Sequence, residues 1–122
     1  RIRQMMHNLI RNSIEAIDTK ENGFINITAR HAEIKKIAMI EITVEDNGGG
    51  FKAESLGQVF DPYVTSKPKG TGLGLAIVKK LVEEHMGSIE ATNTENHGAL
   101  ISILLPRYEG TREAIISNLK NK

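Results

Sequence analysis

The sequence predicts an α+β fold: a two-layer α/β sandwich in which helices cover one face of a single mixed or antiparallel sheet. Two stretches carry apolar residues at helical spacing, one at residues 2–18 and one at 72–85. Four shorter stretches are rich in β-branched residues and bounded by turn signals. Their order is helix, two strands, a long aperiodic segment, helix, two strands.

Ile2 to Asp18 is expected to be the first helix. Ile2, Met6, Leu9, Ile10, Ile14 and Ile17 fall on one side, and Gln4, Asn8, Arg11, Asn12 and Glu15 on the other. "ENG" turns the chain into a strand near Phe24 that alternates through Ile25, Ile27 and Ala29. A short charged turn leads to a second strand, "IAMIEITVED". The segment "NGGGFKAESLGQVFDPYVTSKPKG" shows little periodicity beyond one short helix at Glu54 to Val59, and loops of this length are usually functional. The second helix, from about Gly72 to His85, is expected to pack through Leu73, Ile77, Val78, Leu81 and Val82. "GSIEATN" and "GALISILLP" then form two strands joined by a polar loop. The tail "TREAIISNLKNK" has the pattern of a short terminal helix.

Length and composition narrow the function classes. A chain of 122 residues suits one domain with one core. The net charge of +1 gives no reason to expect nucleic acid or an anionic membrane surface as partner. The absence of cysteine excludes disulfides and thiolate zinc sites. The start in the middle of a helical pattern, without a signal peptide, is what a piece of a longer protein would show.

Chemistry concentrates in four places. In "KPKGTGLGLAIV", Gly70, Gly72 and Gly74 stand with Thr71 and Leu73 behind Lys67 and Lys69 at the mouth of the second helix. Unpaired amides and the positive dipole end make such a mouth a phosphate cradle, and glycines let the backbone close on an anion. Neither a Walker loop nor a dinucleotide fingerprint is spaced this way; the alternative is a flexible loop ending in a helix cap. Asp46 is the second place. Alternation puts it on the face of Ile40, Ile42 and Val44, so its carboxylate points inward, beside Gly48 and Gly50 where a flat ligand with an amino group could approach. The alternative is an Asp-Asn-Gly hairpin turn followed by a paired strand. The third is the polar face of the first helix, where Asn8 and Asn12 lie one turn apart. An amide oxygen there suits a hard cation such as magnesium, although a solvated face explains the same pattern. The fourth is "VFDPYVTSKPK", whose Phe60 and Tyr63 either seal a ligand or pin the loop. The four histidines have no metal-ligand spacing.

In this order the motifs resemble the nucleotide-binding domain of sensor histidine kinases, in the superfamily shared with gyrase, heat-shock chaperones and mismatch-repair ATPases. "QMMHNLIRNSIEA" resembles the asparagine box, "DNGGGF" the first glycine box, "FDPY" the phenylalanine box and "GTGLGLAIV" the second glycine box. The phrasing from "FDPY" to "GSI" is similar to nitrogen-regulation kinases of the NtrB or NtrY kind. The resemblance implies a Bergerat-type ATP-binding domain over residues 1–106, with an ATP lid at about 51–70 and a tail at 107–122. It implies ATP and Mg2+ as ligands. Asp46 would accept from the adenine amino group, with Gly48 and Gly50 shaping the base pocket. Asn12 would hold magnesium, Asn8 would line the phosphate side, and residues 70–74 would bind phosphates through their amides, with Lys67 and Lys69 as further contacts.

The implied activity is transfer of the γ-phosphoryl group to a histidine on a separate dimerisation domain, with a response regulator downstream. The implied place is the cytoplasm, whether or not the parent protein is anchored in a membrane. Two departures stand out: Glu15 replaces the basic residue often found three positions after the magnesium asparagine, and Gly98-Ala99 replaces Gly-Thr at the closing strand. Hydrolysing relatives carry a glutamate base at the place of Asn8, and an amide cannot take a proton from water. A non-catalytic ATP sensor, an ATP-hydrolysing clamp and a plain interaction module are the alternatives.

Overall fold

The computed structural model describes residues 2–18, 21–62, 74–95 and 98–107. Its elements are α1 (Ile2–Ile17), β1 (Ile25–Ile34), β2 (Ile37–Asp46), a 3-10 helix (Ala53–Gln58), α2 (Gly74–Glu84), β3 (Ser88–Asn93) and β4 (Ala99–Pro106). The strands form one sheet in the order β1-β2-β4-β3. Every pairing is antiparallel, so among the described residues the sheet is not mixed. Strands β2 and β3 do run in the same direction, but β4 is inserted between them and no parallel contact forms.

One face of the sheet meets both helices. Val44, Ile101, Ile103 and Leu105 from the strands pack with Met5 and Leu9 of α1 and Val78, Leu81 and Val82 of α2. Burying each such side chain contributes about 1.5–3 kcal/mol, which makes this cluster the main support of the fold. The inward row of α1 is Met5, Leu9 and Ser13, with Met6 packed at its flank; Ile2 and Ile14 are exposed, contrary to the sequence expectation. The helix rests on both β2 and α2, so its buried row is set by two neighbours rather than by the centre of its apolar side. In α2, likewise, Ile77 lies at the exposed border and Leu75 packs inward. Leu73 lies outside the described residues.

The turns explain how a short chain closes. Strands β1 and β2 are joined by Lys35 and Lys36, with φ of 52° and 66°, the left-handed pair that a two-residue type I′ turn demands. Helix α2 ends in a Schellman motif: Gly87 N donates to Val82 O at 2.9 Å and Met86 N to Glu83 O at 3.0 Å. Met86 takes the left-handed position at φ 63°, while Gly87 has no room for a side chain, because a Cβ there would lie 2.3 Å from Leu104 O. The stretch expected to be a terminal helix, residues 111–122, lies outside the described residues; Arg107, the last of the described residues, donates its N–H to Ala38 O at 2.9 Å.

Candidate functional site

Asp46 is the last residue of a central strand and is 2% exposed. It shares the inner face with buried Val44, as alternation predicts. Its Oδ1 accepts from Gly48 N–H at 2.9 Å, which folds the chain sharply after the strand. The alternative of a hairpin is overturned: the next element is a 3-10 helix, and β2 pairs with β1 and β4 instead. The turn after Asp46 therefore opens into a loop.

That loop is wedged against α1. A Cβ on Gly48 would lie 2.6 Å from Ala16 O and 2.9 Å from Ala16 Cβ, so the approach requires glycine. Asn8, Asn12 and Ala16 are spaced four apart and form one row on the helix. The loop after Asp46 thus abuts the row that carries both asparagines, each half-buried. Gly50 has φ 71°, a second place where glycine suits the backbone. Glu15 is exposed and sits 3.9 Å from Arg11, a surface pair of small energetic weight.

The start of β4 closes the other side. Asp46 pairs in register with Ala99, which is buried. A Cβ on Gly98 would fall 1.9 Å from Asp46 O, so only glycine permits this approach. Thr94 holds the hairpin from below, its N–H donating to Gly98 O and its Oγ1 accepting from Gly98 N, both at 2.9 Å.

Two anchoring asparagines escaped the sequence reading. Asn47 Oδ1 accepts from Phe24 N at 2.8 Å and its Nδ2 donates to Asn22 O at 2.9 Å, tying the loop to the turn before β1. Asn93, at the end of β3, bonds both backbone groups of Phe51. Beyond Phe51 the chain is also held by buried Val59 and by Phe60 packed on the core. Part of the expected lid is therefore pinned to the domain at residues 51 and 59–60, and the phenylalanine of "FDPY" is a packing residue. Tyr63 and residues 64–70 of that lid lie outside the described residues, as do Lys67, Lys69, Gly70, Thr71, Gly72 and Leu73 of the site. Gly74 is described as the first residue of α2, exposed, with open space around its α-carbon.

The histidines behave as ordinary residues where described. His31 lies within β1 and contacts Arg107, and His85 Nδ1 lies 2.8 Å from Leu81 O at the end of α2.

The architecture now has a class. The chain belongs to the family of histidine kinase-, DNA gyrase B- and HSP90-like ATPases, whose model matches residues 1–109. Relatives and structural neighbours within that family include sensor histidine kinases and their catalytic domains. It is 44% identical over 102 residues to an NtrY-like sensor histidine kinase of Rickettsia conorii, covering 84% of this chain and 16% of that protein. It is 40% identical over 106 residues to the sensor histidine kinase ZraS of Escherichia coli K12, covering 87% of this chain and 22% of ZraS. The nucleotide-free catalytic domain of histidine kinase ThkA superposes with a TM-score of 0.71 at 36% identity, over 86% of this chain and 65% of that one. Full-length ShkA in complex with AMPPNP superposes at 0.73 and 25% identity, over 90% of this chain and 22% of ShkA. ThkA has also been solved with the response regulator TrrA; it superposes at 0.67 and 34% identity, over 88% of this chain and 29% of that one. The chain spans less than a quarter of the NtrY-like protein and of ZraS. Among the described residues no helix is long and apolar enough to cross a membrane.

Proposed function

We propose that this chain is the phosphoryl-donating half of a sensor histidine kinase: it binds Mg-ATP and presents the γ-phosphoryl group to a histidine on a separate dimerisation domain. The observation that carries this is the buried carboxylate of Asp46, which ends a central strand between Gly48, packed on α1, and Ala99 of β4. In this proposal Asp46 accepts from the adenine amino group while Gly48 N–H keeps the carboxylate oriented. Gly48 and Gly50 shape the base pocket through the backbone path they allow, Gly48 by its close approach to Ala16 and Gly50 by its positive φ. The amides ahead of α2, in residues 70–74, receive the phosphates, with Lys67 and Lys69 beside them.

Asn12 suits a magnesium ion. Magnesium keeps most of its water and takes few protein ligands, so one half-buried amide oxygen beside the phosphates is a fitting donor set. When bound, the ion would neutralise phosphate charge. Asn8, one turn earlier, lines the same row and cannot act as a general base. That supports transfer to a protein side chain over transfer to water. The remaining work is positioning: the site holds the terminal phosphoryl group in line with an incoming imidazole.

In this proposal residues 1–106 are the catalytic domain and about 51–70 its lid. The partners are the parent kinase's histidine-bearing domain and, through the full-length kinase, a response regulator, as for ThkA and TrrA. The domain acts on the cytoplasmic side. The test is transfer: mixed with Mg-ATP and the parent kinase's dimerisation domain, the chain should yield acid-labile phosphohistidine. Tight ATP binding with no transfer would reduce it to a nucleotide sensor.

A further inference from the structure

Among the described residues, two polar side chains are buried: Ser13, at 3% exposed, and Asp46, at 2%. Asp46 anchors the base in the proposed function; Ser13 has no role there. It continues the inward row of α1 after Met5 and Leu9. A buried helix serine commonly turns its hydroxyl back to a carbonyl one turn earlier. Ser13 forms no such bond, nor any other side-chain hydrogen bond among the described residues. Yet no sealed side-chain oxygen or nitrogen among those residues is left without a partner. The hydroxyl of Ser13 therefore keeps contact with a gap that a ligand atom or a water can reach.

The packing sets Ser13 level with Asp46. Leu9 of α1 and Val44 of β2 share the buried cluster, and further on Gly48 sits against the backbone of Ala16. Helix and strand thus advance together along this face. Ser13 lies about 4.5 Å before Ala16 along the helix, and Asp46 lies about 6.6 Å past Val44 along the strand. Both fall between the same two contacts. The cross-strand partners of Asp46 are Ile25 and Ala99, which bring no polar side chain. An ionised carboxylate only accepts, so Asp46 can hold a ligand's N–H but cannot serve a ring nitrogen. Ser13 supplies a donor beside it. Adenine carries the matching pair on one edge, its amino group next to the acceptor N1.

We infer that Ser13 is a specificity-determining residue of the base pocket: its hydroxyl donates to N1 of the purine, with at most one water between, while Asp46 accepts from the adjacent amino group. The inference rests on the assignment of Asp46 to the base. The test measures binding of Mg-ATP and of its 1-deaza analogue, in which C–H replaces N1 and the amino group stays. The whole parent chain should bind the analogue about 5-fold more weakly than ATP, the worth of one ordinary hydrogen bond. Ser13→Ala should lose about the same factor for ATP and nothing for the analogue. Alanine favours a helix interior, so the variant should fold, and the parent's own preference reads the N1 contact without any variant. Equal binding of the two nucleotides by the parent, or an unaltered ATP affinity in Ser13→Ala, would overturn the role. An equal loss for both nucleotides would also overturn it, making Ser13 a packing residue. Asp46→Asn separates this from the assignment beneath it. A loss of ATP affinity there beside an unaltered Ser13→Ala removes only the role of Ser13, whereas a parent chain that binds neither nucleotide removes both.

Discussion

Asn93 holds Phe51 by both of its backbone groups: Phe51 N donates to Asn93 Oδ1 at 2.7 Å, and Asn93 Nδ2 donates to Phe51 O at 2.8 Å. Forty-two positions separate them, yet this amide fixes where the loop after Asp46 leaves the sheet. Asn93→Ala should cost about 1–2 kcal/mol, toward the low end for two exposed bonds. Urea denaturation checks the magnitude. Amide exchange at Phe51 should accelerate more than exchange in the core strands, and uniform protection would show that the clamp does not hold the loop.

Gly98→Ala should be more damaging. The added methyl has backbone, not a flexible side chain, 1.9 Å away, so β4 and the end of β2 must separate. A loss of about 2–3 kcal/mol is expected from such overpacking. ATP affinity should fall with it, because the displaced atom belongs to Asp46. Thermal melts and titration of the same samples would reveal any uncoupling of the two.

Met86→Gly should stabilise the domain. Met86 is 75% exposed and sits at φ 63°, a conformation that costs most side chains about 1–2 kcal/mol. Glycine removes that strain at a position where it is the common helix terminator, at some entropic expense. A net gain of about 0.5–1 kcal/mol in a denaturant melt is the expected outcome. A loss would mean that the thioether packs against something that offsets the strain.

How much of this was legible beforehand differs by element. Strand β2 follows its alternation from Ile37 to Asp46, and the inward aim of Asp46 follows from sharing parity with Val44. The inner row of α1 did not: Ile14 is exposed and Ser13 buried because α2 and β2 together, not residue size, choose the buried side. Asn47 and Asn93 carried no local signal, since each bonds backbone more than twenty residues away. The glycines were readable in part. Gly48 was expected to clear space for a ligand, but its closest neighbour is the backbone of Ala16.

Asn12→Ala should remove the magnesium dependence of nucleotide binding. Affinity measured with EDTA present should change little, while the gain on adding Mg2+ should shrink by about 10-fold, the value of one lost ligand at the ion. Calorimetry with and without the ion separates this from a general loss of affinity. An unchanged magnesium gain would exclude Asn12 as its ligand.

The most direct test is a nucleotide titration of Asp46→Asn. The substitution keeps the shape, and its amide oxygen can still accept from Gly48 N–H, so the melting temperature should hold nearly steady. Its NH2 would then meet the adenine amino group, donor against donor. Mg-ATP affinity should fall by about 100-fold, as expected when a charge-assisted bond is lost and a buried donor is left unpaired. A folded variant that binds Mg-ATP as tightly as the parent would contradict the assignment of Asp46 to the base.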